Sequence, residues 1–495
     1  MSKFRDIDNR AVFQQILDED ECLPEGHLAR FILGAVQQMD LSAFEDAYVG
    51  SGSKPYAPKT FLSLFIYGYI NRTFSSRKIE AATRDSIAFR FLAGNTHPDH
   101  SSLAEFRRRF QGQFKDIFKQ VLVLAFEMGL MKKAIVAGDG TKIHANASKH
   151  SALSYAHALK LEAQLDKEID GLLAEAAKAE RDNQQLPMGL NVQNEVDLRR
   201  GLLSTIAKAK SEIERRAKER DVFEREQYEQ KMTKHQAKLA QQKAQREAWD
   251  DATVQKAAKR AAAQARKDAQ AQAQAQAAQA GTVMPAKKSA IPQEPVTGPR
   301  PDDQVNLTDK ESRIMPVAGG GFEQCYNAQA AVLAGSMLVV AAFVTQATND
   351  KQQVTPMLQA LSELPQCLPA VPAIVLDTGY FSAANANLCS IAGIEPLIAA
   401  RREHHHQAPM ERFTEPSPLP DNATLVEKMA HKLKTLSGKK LYALRKQTVE
   451  PVFGIIKSVL DFRQFSMRGL AAAENEWNMV CLSWNLKRMA VLRLQ

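Results

Sequence analysis

Residues Ala134–Ala145 read AIVAGDGTKIHA, and the architecture turns on them. Small and β-branched residues surround Asp139, so the segment reads as a buried strand that ends at a carboxylate. A second segment repeats the pattern: Ala373–Leu376 is a short apolar run leading directly into Asp377. Tyr326–Ala334 and Met337–Thr345 form a hairpin across Gly335-Ser336, a suitable two-residue turn. Lys351–Leu364 reads as a helix, Glu395–Ala400 as a further strand, and Lys439–Val459 and Ala471–Leu494 as helices. Strands and helices mixed in that order indicate an α/β layer domain with a mixed sheet.

Upstream, residues 1–130 read as a helical domain suited to DNA contact or dimerisation. Thr60–Asn71 is an apolar helix and Ser76–Leu92 an amphipathic one. NTHPDHSS (Asn95–Ser102) is a loop, and Ser102-Leu-Ala-Glu105 has the form of a capping box for the next helix. That helix carries Phe106-Arg-Arg-Arg-Phe110, which marks Arg107 and Arg108 as candidate DNA contacts. A helical cap with a solvated basic face explains the same residues equally well.

From Ala152 to about Gln279 nearly every residue is a helix former. Stretches such as LEAQLDKEIDGLLAEAAKAE (161–180) space their apolar residues as a helical hairpin or coiled coil does. Pro187 and Gly189 mark its first turn. Its far end, AQAQAQAQAAQAG (Ala269–Gly281), has little apolar surface to bury and reads as mobile. Residues 151–304 are therefore read as an insertion closed by the linker MPAKKSAIPQEPVTGPRP. The full division is 1–130, then 131–150 with 305–470 as the core, 151–304 as the insertion, and 471–495 as a closing helix. Since the insertion lies between the first acid-bearing strand and its expected hairpin partner, the chain must enter and leave it at nearby points.

The 495 residues suggest two or three structural units. The formal charge of +9 favours polyanionic partners such as nucleic acid. Five scattered cysteines with no C-x-x-C pair support neither a zinc knuckle nor a disulfide framework, and fit a reducing cytoplasm. The start MSKFRDIDNR lacks the apolar core of a signal peptide. The longest apolar run, Ala330–Val344, falls short of the ~20 residues that cross a bilayer. No membrane role is expected.

Two strand-terminal aspartates can place hard oxygens around one divalent cation, and a third carboxylate would hold a second ion. Glu450 is the best third candidate, because Lys439, Lys440, Tyr442, Arg445, Lys446 and Lys457 surround it in sequence. Singly, each aspartate reads as a turn or N-cap residue and Glu450 as a helix-surface acid. Spacing does not show that the three meet.

The wording of these segments goes further. GDGTKIHANAS around Asp139, LDTGYFS around Asp377 and RKQTVEPVFGIIK around Glu450 closely resemble three blocks of the bacterial insertion-sequence DDE transposases. The likeness is nearest to the insertion-sequence-1182 branch, within the superfamily that has an RNase H-like catalytic core. FLSLFIYGYINRTFSSRKIEAATRDSIAFRFLAG with PDHSSLAEFRRRF resembles that family's N-terminal helical domain. LTDKESRIM and QCYNAQAAV resemble its central segment, and EWNMVCLSWNLKRM its closing helix.

The resemblance implies an RNase H-like core whose catalytic and metal-binding residues are Asp139, Asp377 and Glu450, served by two Mg²⁺ ions with Mn²⁺ as substitute. It implies that Tyr442, Arg445 and Lys457 contact phosphates of the element's ends, with Lys446 at the alternative spacing to Arg445. It implies binding of terminal inverted repeats, cleavage, and transfer of 3′ ends to target DNA by a homodimer assembled on DNA, in the cytoplasm at the bacterial nucleoid. A nuclease with the same core but no strand transfer, a non-catalytic DNA-binding descendant, and a coiled-coil scaffold are the rival classes.

Further expectations concern single residues. Pro451 reads as the first residue of a helix with Glu450 at its cap. The position after YNAQAAV is Leu333, which argues against a metal ligand there. His404-His405-His406 reads as a solvated or DNA-facing loop, His144 as lining the site or packed, and Asp309 and Asp350 as reserve carboxylates. Gly319-Gly320-Gly321 lacks the Lys-Ser/Thr of a phosphate loop, so no nucleotide cofactor is expected.

Overall fold

A computed structural model describes residues 23–48, 54–132, 135–182, 187, 190–249, 292–400, 414–420 and 422–494. The His404–His406 tract, Gly189 and the Ala269–Gly281 repeat lie outside the described residues. Contacts divide the chain into two compact units, the second being residues 153–305 and the first the remainder.

The first unit is built on a sheet with strands β1 (Val136–His144), β4 (Arg313–Pro316), β5 (Phe322–Leu333), β6 (Val339–Thr345), β7 (Ala373–Leu376) and β8 (Glu395–Ile398). β5 runs antiparallel to β1 along nine residue pairs, from Val136–Leu333 to His144–Cys325. The outer edge of β5 is shared by β4 and β6, so the order is β4 and β6, then β5, β1, β7 and β8. β7 and β8 run parallel to each other, and β7 is parallel to β1. The expected β5–β6 hairpin forms from two strands buried along nearly their whole length, but its connection is wider than two residues, with positive φ at Gly335 and Met337.

The described N-terminal part opens with helices α1 (Leu28–Gln37), α2 (Ser42–Glu45) and α3 (Pro58–Ile70). α3 is buried on nearly every side, as a helix apolar all round must be. The segment expected as one helix over Ser76–Leu92 is two, α4 (Ser76–Asp85) and α5 (Ile87–Leu92), because Ser86 adopts an extended conformation. In α6 (His100–Arg109) the cap is Asp99, whose carboxylate accepts from the backbone of Ser101 and Ser102. The expected capping box is therefore displaced: Ser102 donates its hydroxyl to Asp99, and Glu105 pairs with Arg108. α7 (Phe114–Glu127) leads to β1.

After β6 come α10 (Val354–Ser362) and α11 (Ala383–Ile391), and after β8 come α12 (Leu425–Lys434), α13 (Leu436–Ser458) and α14 (Leu470–Leu492). Trp477 is fully buried on α14, and Glu476 beside it binds the C-terminal region to α3. Its carboxylate accepts from the Tyr69 hydroxyl at 2.8 Å and from the Ser466 backbone at 2.8 Å. Four donors in all reach this buried acid, which is what a carboxylate taken out of water needs.

α13 runs unbroken through Pro451, so that proline does not open the helix and Glu450 is no cap. The true cap is Thr435, whose hydroxyl accepts from the Gly438 backbone. Burial of Val449, Val452, Phe453 and Ile456 holds the turns on both sides of the proline. That apolar surface outweighs one missing rung of the ladder.

The second unit is a helical hairpin of α8 (Tyr155–Arg181) and α9 (Val192–Trp249). A narrow core of Leu153, Ala158, Leu165, Ile206, Ala209, Ile213 and Val305 joins its helices. β2 (Ala152–Ser154) pairs with β3 (Gln304–Asn306), so the chain enters and leaves the hairpin side by side.

Candidate active site

β1 and β7 pair Val136 with Ile374 and Ala137 with Val375. Continuing the same offset sets Asp139 opposite Asp377, beyond the last bonded pair; β1 does not stop at Asp139, as its apolar run suggests, but runs on to His144, while β7 ends at Leu376, just before Asp377. Alternation sends both acids to one face of the sheet, the face covered by α13. Ala373 and Val375 share that face and pack with Leu441 and Tyr442 of α13.

α13 delivers the third acid. Arg445 lies between two carboxylates: it donates to Asp139 Oδ2 at 2.9 Å and to Glu450 Oε1 at 2.8 Å. Asp139 and Glu450 are thus joined through one guanidinium, and Arg445 and Asp139 are both largely shielded from water. Burial pushes the Asp139 carboxyl up to about 6; Arg445 opposes the rise, while the charge of Asp377 adds to it. Tyr442, half-buried beside Arg445, is raised by burial.

The donor set consists of hard carboxylate oxygens, the kind a divalent ion such as Mg²⁺ prefers. That it accommodates positive charge is shown by the guanidinium held between Asp139 and Glu450. Among the described residues no three acids, histidines or cysteines are drawn together as a ready-made metal cluster. The reason is visible: Arg445 occupies the space between two of the three. The residues fit a divalent cation in charge and chemistry, with Arg445 required to yield.

The remaining candidates fall in varied places. Lys457 is half-buried and donates to the Lys142 carbonyl of β1 at 2.9 Å, and burial lowers its pKa. Lys446 is exposed and takes no part in the acid bridge. Arg107 turns inward to the Phe74 carbonyl and the Ser466 hydroxyl, with its guanidinium over the Phe65 ring. Arg108 is exposed. His144 sits at the far end of β1, five residues past Asp139 and so roughly 16 Å along the strand. Asp309 is buried with both oxygens accepting from the Tyr326 hydroxyl at 2.9 Å, away from the acids.

Asp350 is close. A Cβ placed on Gly140 would meet Asp350 Oδ1 at 2.5 Å, and one on Gly379 would meet Asp377 Oδ1 at 3.0 Å and Asp350 Cβ at 3.9 Å. Asp350 is held by the side chains of Asn327 and Gln329, each at 2.7 Å. Sequence reasoning passed over Asn327, Gln329 and Tyr380. The available signal was a pair of amides alternating in an otherwise apolar strand, YNAQAAV.

Comparison with known families gives two matches. Residues 17–109 match a family described as Transposase domain (DUF772), a stretch that includes Arg107 and Arg108. Residues 417–490 match the Transposase DDE domain, a stretch that includes Tyr442, Arg445, Glu450 and Lys457. Asp139 and Asp377 lie outside both. No curated protein and no solved structure matches the chain. Two separate stretches of one chain thus match transposase domain families, one of them the DDE domain, and together they support a transposase function.

Proposed function

We propose that the chain is a DDE transposase of a bacterial insertion sequence, of the insertion-sequence-1182 branch, with an RNase H-like core formed by the β1, β5–β8 sheet. It binds the terminal inverted repeats of its element, cleaves there, and transfers the 3′ ends to target DNA, as a homodimer assembled on DNA. The observation that carries this reading is the parallel register of β1 and β7 two residues before Asp139 and Asp377, with Glu450 linked to Asp139 through Arg445.

Asp139, Asp377 and Glu450 would hold two Mg²⁺ ions, or Mn²⁺ in their place, which activate the attacking oxygen and stabilise the leaving one. The protein's own share is orientation and charge. β1 and β7 fix two carboxylates on one face, and α13 brings the third together with a cation that phosphate can attract. Arg445 can form a bidentate contact with a DNA phosphate, in exchange for the carboxylates it now binds. Tyr442, Lys446 and Arg108 supply further phosphate contacts, and Lys457 steadies α13 on β1. Among the described residues no helix is long and apolar enough to cross a membrane; the proposed setting is the cytoplasm, at the nucleoid.

The test uses a supercoiled plasmid carrying the DNA that flanks the coding region. Wild-type protein with Mg²⁺ should cleave at the element's ends and join them to a second plasmid. Asp139→Asn, Asp377→Asn and Glu450→Gln should each abolish cleavage while retaining the same DNA in a shift assay. Full cleavage by any one of them removes that residue from the triad, and cleavage without joining makes the chain a nuclease.

A further inference from the structure

The hydrogen-bonded pairing of β1 with β7 stops at Ala137 and Val375, two residues short of both acids. Beyond that point no ladder fixes Asp139 against Asp377, yet metal chemistry on paired carboxylates demands positions good to about half an ångström. On the opposite face of the sheet lies a buried polar network that spans this gap.

Gln329 is fully buried on β5, directly across from Gly140. Its amide nitrogen donates to Asp350 Oδ1 at 2.7 Å and to Asn327 Oδ1 at 3.1 Å. Its amide oxygen accepts from the Tyr380 hydroxyl at 2.5 Å. Tyr380, also fully buried, ends the short 3₁₀ turn Thr378–Tyr380 that Asp377 itself caps, accepting from the Gly379 backbone at 2.8 Å. The Tyr380 carbonyl is held by Asn385, which also grips the Lys351 carbonyl beside Asp350.

The amide rests on bare backbone, for a Cβ on Gly140 would stand 2.1 Å from Gln329 Nε2. A side chain there would push the network off the strand that carries Asp139. A polar network in a buried core costs stability unless every member is satisfied, and here the amide uses both its nitrogen and its oxygen.

We propose that Gln329 and Tyr380 form a positioning pair that sets the spacing of Asp139 and Asp377 from behind the sheet. The proposal rests on the transposase reading above and adds to it the device that aligns the two aspartates. Gln329 fixes the level of β5, and hence of β1 through the Gly140 pairing. Tyr380 ties the turn after Asp377 to the same amide. Neither side chain reaches the acid-bearing face, so neither touches substrate or metal.

The test compares full-length wild type, Tyr380→Phe and Gln329→Met. Tyr380→Phe removes one hydroxyl and keeps the ring, so it preserves folding even where Gln329→Met does not. Mn²⁺ binding is measured by calorimetry without DNA, alongside melting temperature, retention of the flanking-DNA plasmid and its nicking in Mn²⁺. Loss of a group that orients metal ligands typically costs ~10- to 100-fold in metal affinity or activity.

We expect Tyr380→Phe to weaken Mn²⁺ binding and slow nicking within that range, with DNA retention unchanged. Unchanged Mn²⁺ affinity in Tyr380→Phe, with wild type binding Mn²⁺ normally, overturns the positioning role alone. A wild type that neither binds Mn²⁺ nor nicks overturns the transposase reading, and the positioning role with it.

Discussion

Asp139 carries an energetic burden that can be measured without any DNA. Its carboxyl is raised by folding from 3.8 to about 6, chiefly by burial, even with Arg445 beside it. Between those two values the folded chain holds a proton that the unfolded chain has released. The contribution of this proton to stability is complete below pH 3.8 and is lost as pH rises through about 6. At ~1.4 kcal/mol per pKa unit, the loss amounts to about 3 kcal/mol.

Asp139→Asn has no proton to lose. In a chelating buffer the variant should match wild type near acid pH and exceed it by about 3 kcal/mol at about pH 7.5. Urea unfolding followed by tryptophan fluorescence reads this in the right unit, since Trp477 and Trp484 are both buried there. With an m-value of ~3 kcal/mol/M, the gap between the two midpoints should widen by on the order of 1 M from about pH 4.5 to about pH 7.5. A gap that stays constant with pH, or a variant less stable than wild type at neutral pH, refutes the reasoning. The expected gain would accompany loss of cleavage, so the acid is kept at a cost to the fold.

Three further outcomes are expected. Mn²⁺ at about a hundred times its dissociation constant should stabilise wild type by ~2.7 kcal/mol in thermal melts and leave Asp139→Asn nearly unmoved; equal shifts would remove Asp139 from the ion's ligands. Gly438→Ala should cost ~1–3 kcal/mol, because its Cβ would fall 1.7 Å from the Lys432 carbonyl at the tight α12–α13 corner; an unchanged melting temperature would contradict that packing. Arg108→Ala should lower the salt slope of DNA binding by about one unit or less, whereas Arg107→Ala should lower the melting temperature and spare the slope. Salt titrations of binding beside thermal melts separate the two, and the reverse pattern would place Arg107 on the DNA.

The elements that carry the acids were legible because local pattern determines them. The apolar runs before Asp139 and Asp377 became strands, although β1 runs on past Asp139 to His144, and the apolar runs on either side of Gly335 became a hairpin. The long helices α8 and α9 lie where the helix-forming composition places them, and β2 beside β3 brings the two ends of that segment together.

Contacts between distant positions were not legible. Nothing local specifies that Val136 pairs with Ile374, so the level placement of the acids had to await the fold. Arg445 read as a phosphate ligand, but in the fold it answers to the two carboxylates nearest it. Ser86 breaks a helix without proline or glycine, and Asp99 takes the cap from Ser102 because its carboxylate reaches two backbone donors. Pro451 misled for the opposite reason: the local signal was strong, and buried neighbours overrode it.

That proline has a mechanical consequence. Without an N–H, Pro451 gives nothing to the Gln447 carbonyl, so the ladder of α13 lacks one bond immediately beyond Glu450. The two halves of the helix are held at separate points: Leu441 and Tyr442 seat the first half on β7 and β8 and Arg445 ties it to Asp139 of β1, while Lys457 fastens the second half further along β1. The missing bond thus works as an expansion joint. A small change in the angle between the two halves can be absorbed there, so that the half carrying Arg445 and Glu450 can adjust to the aspartates without dragging its Lys457 end.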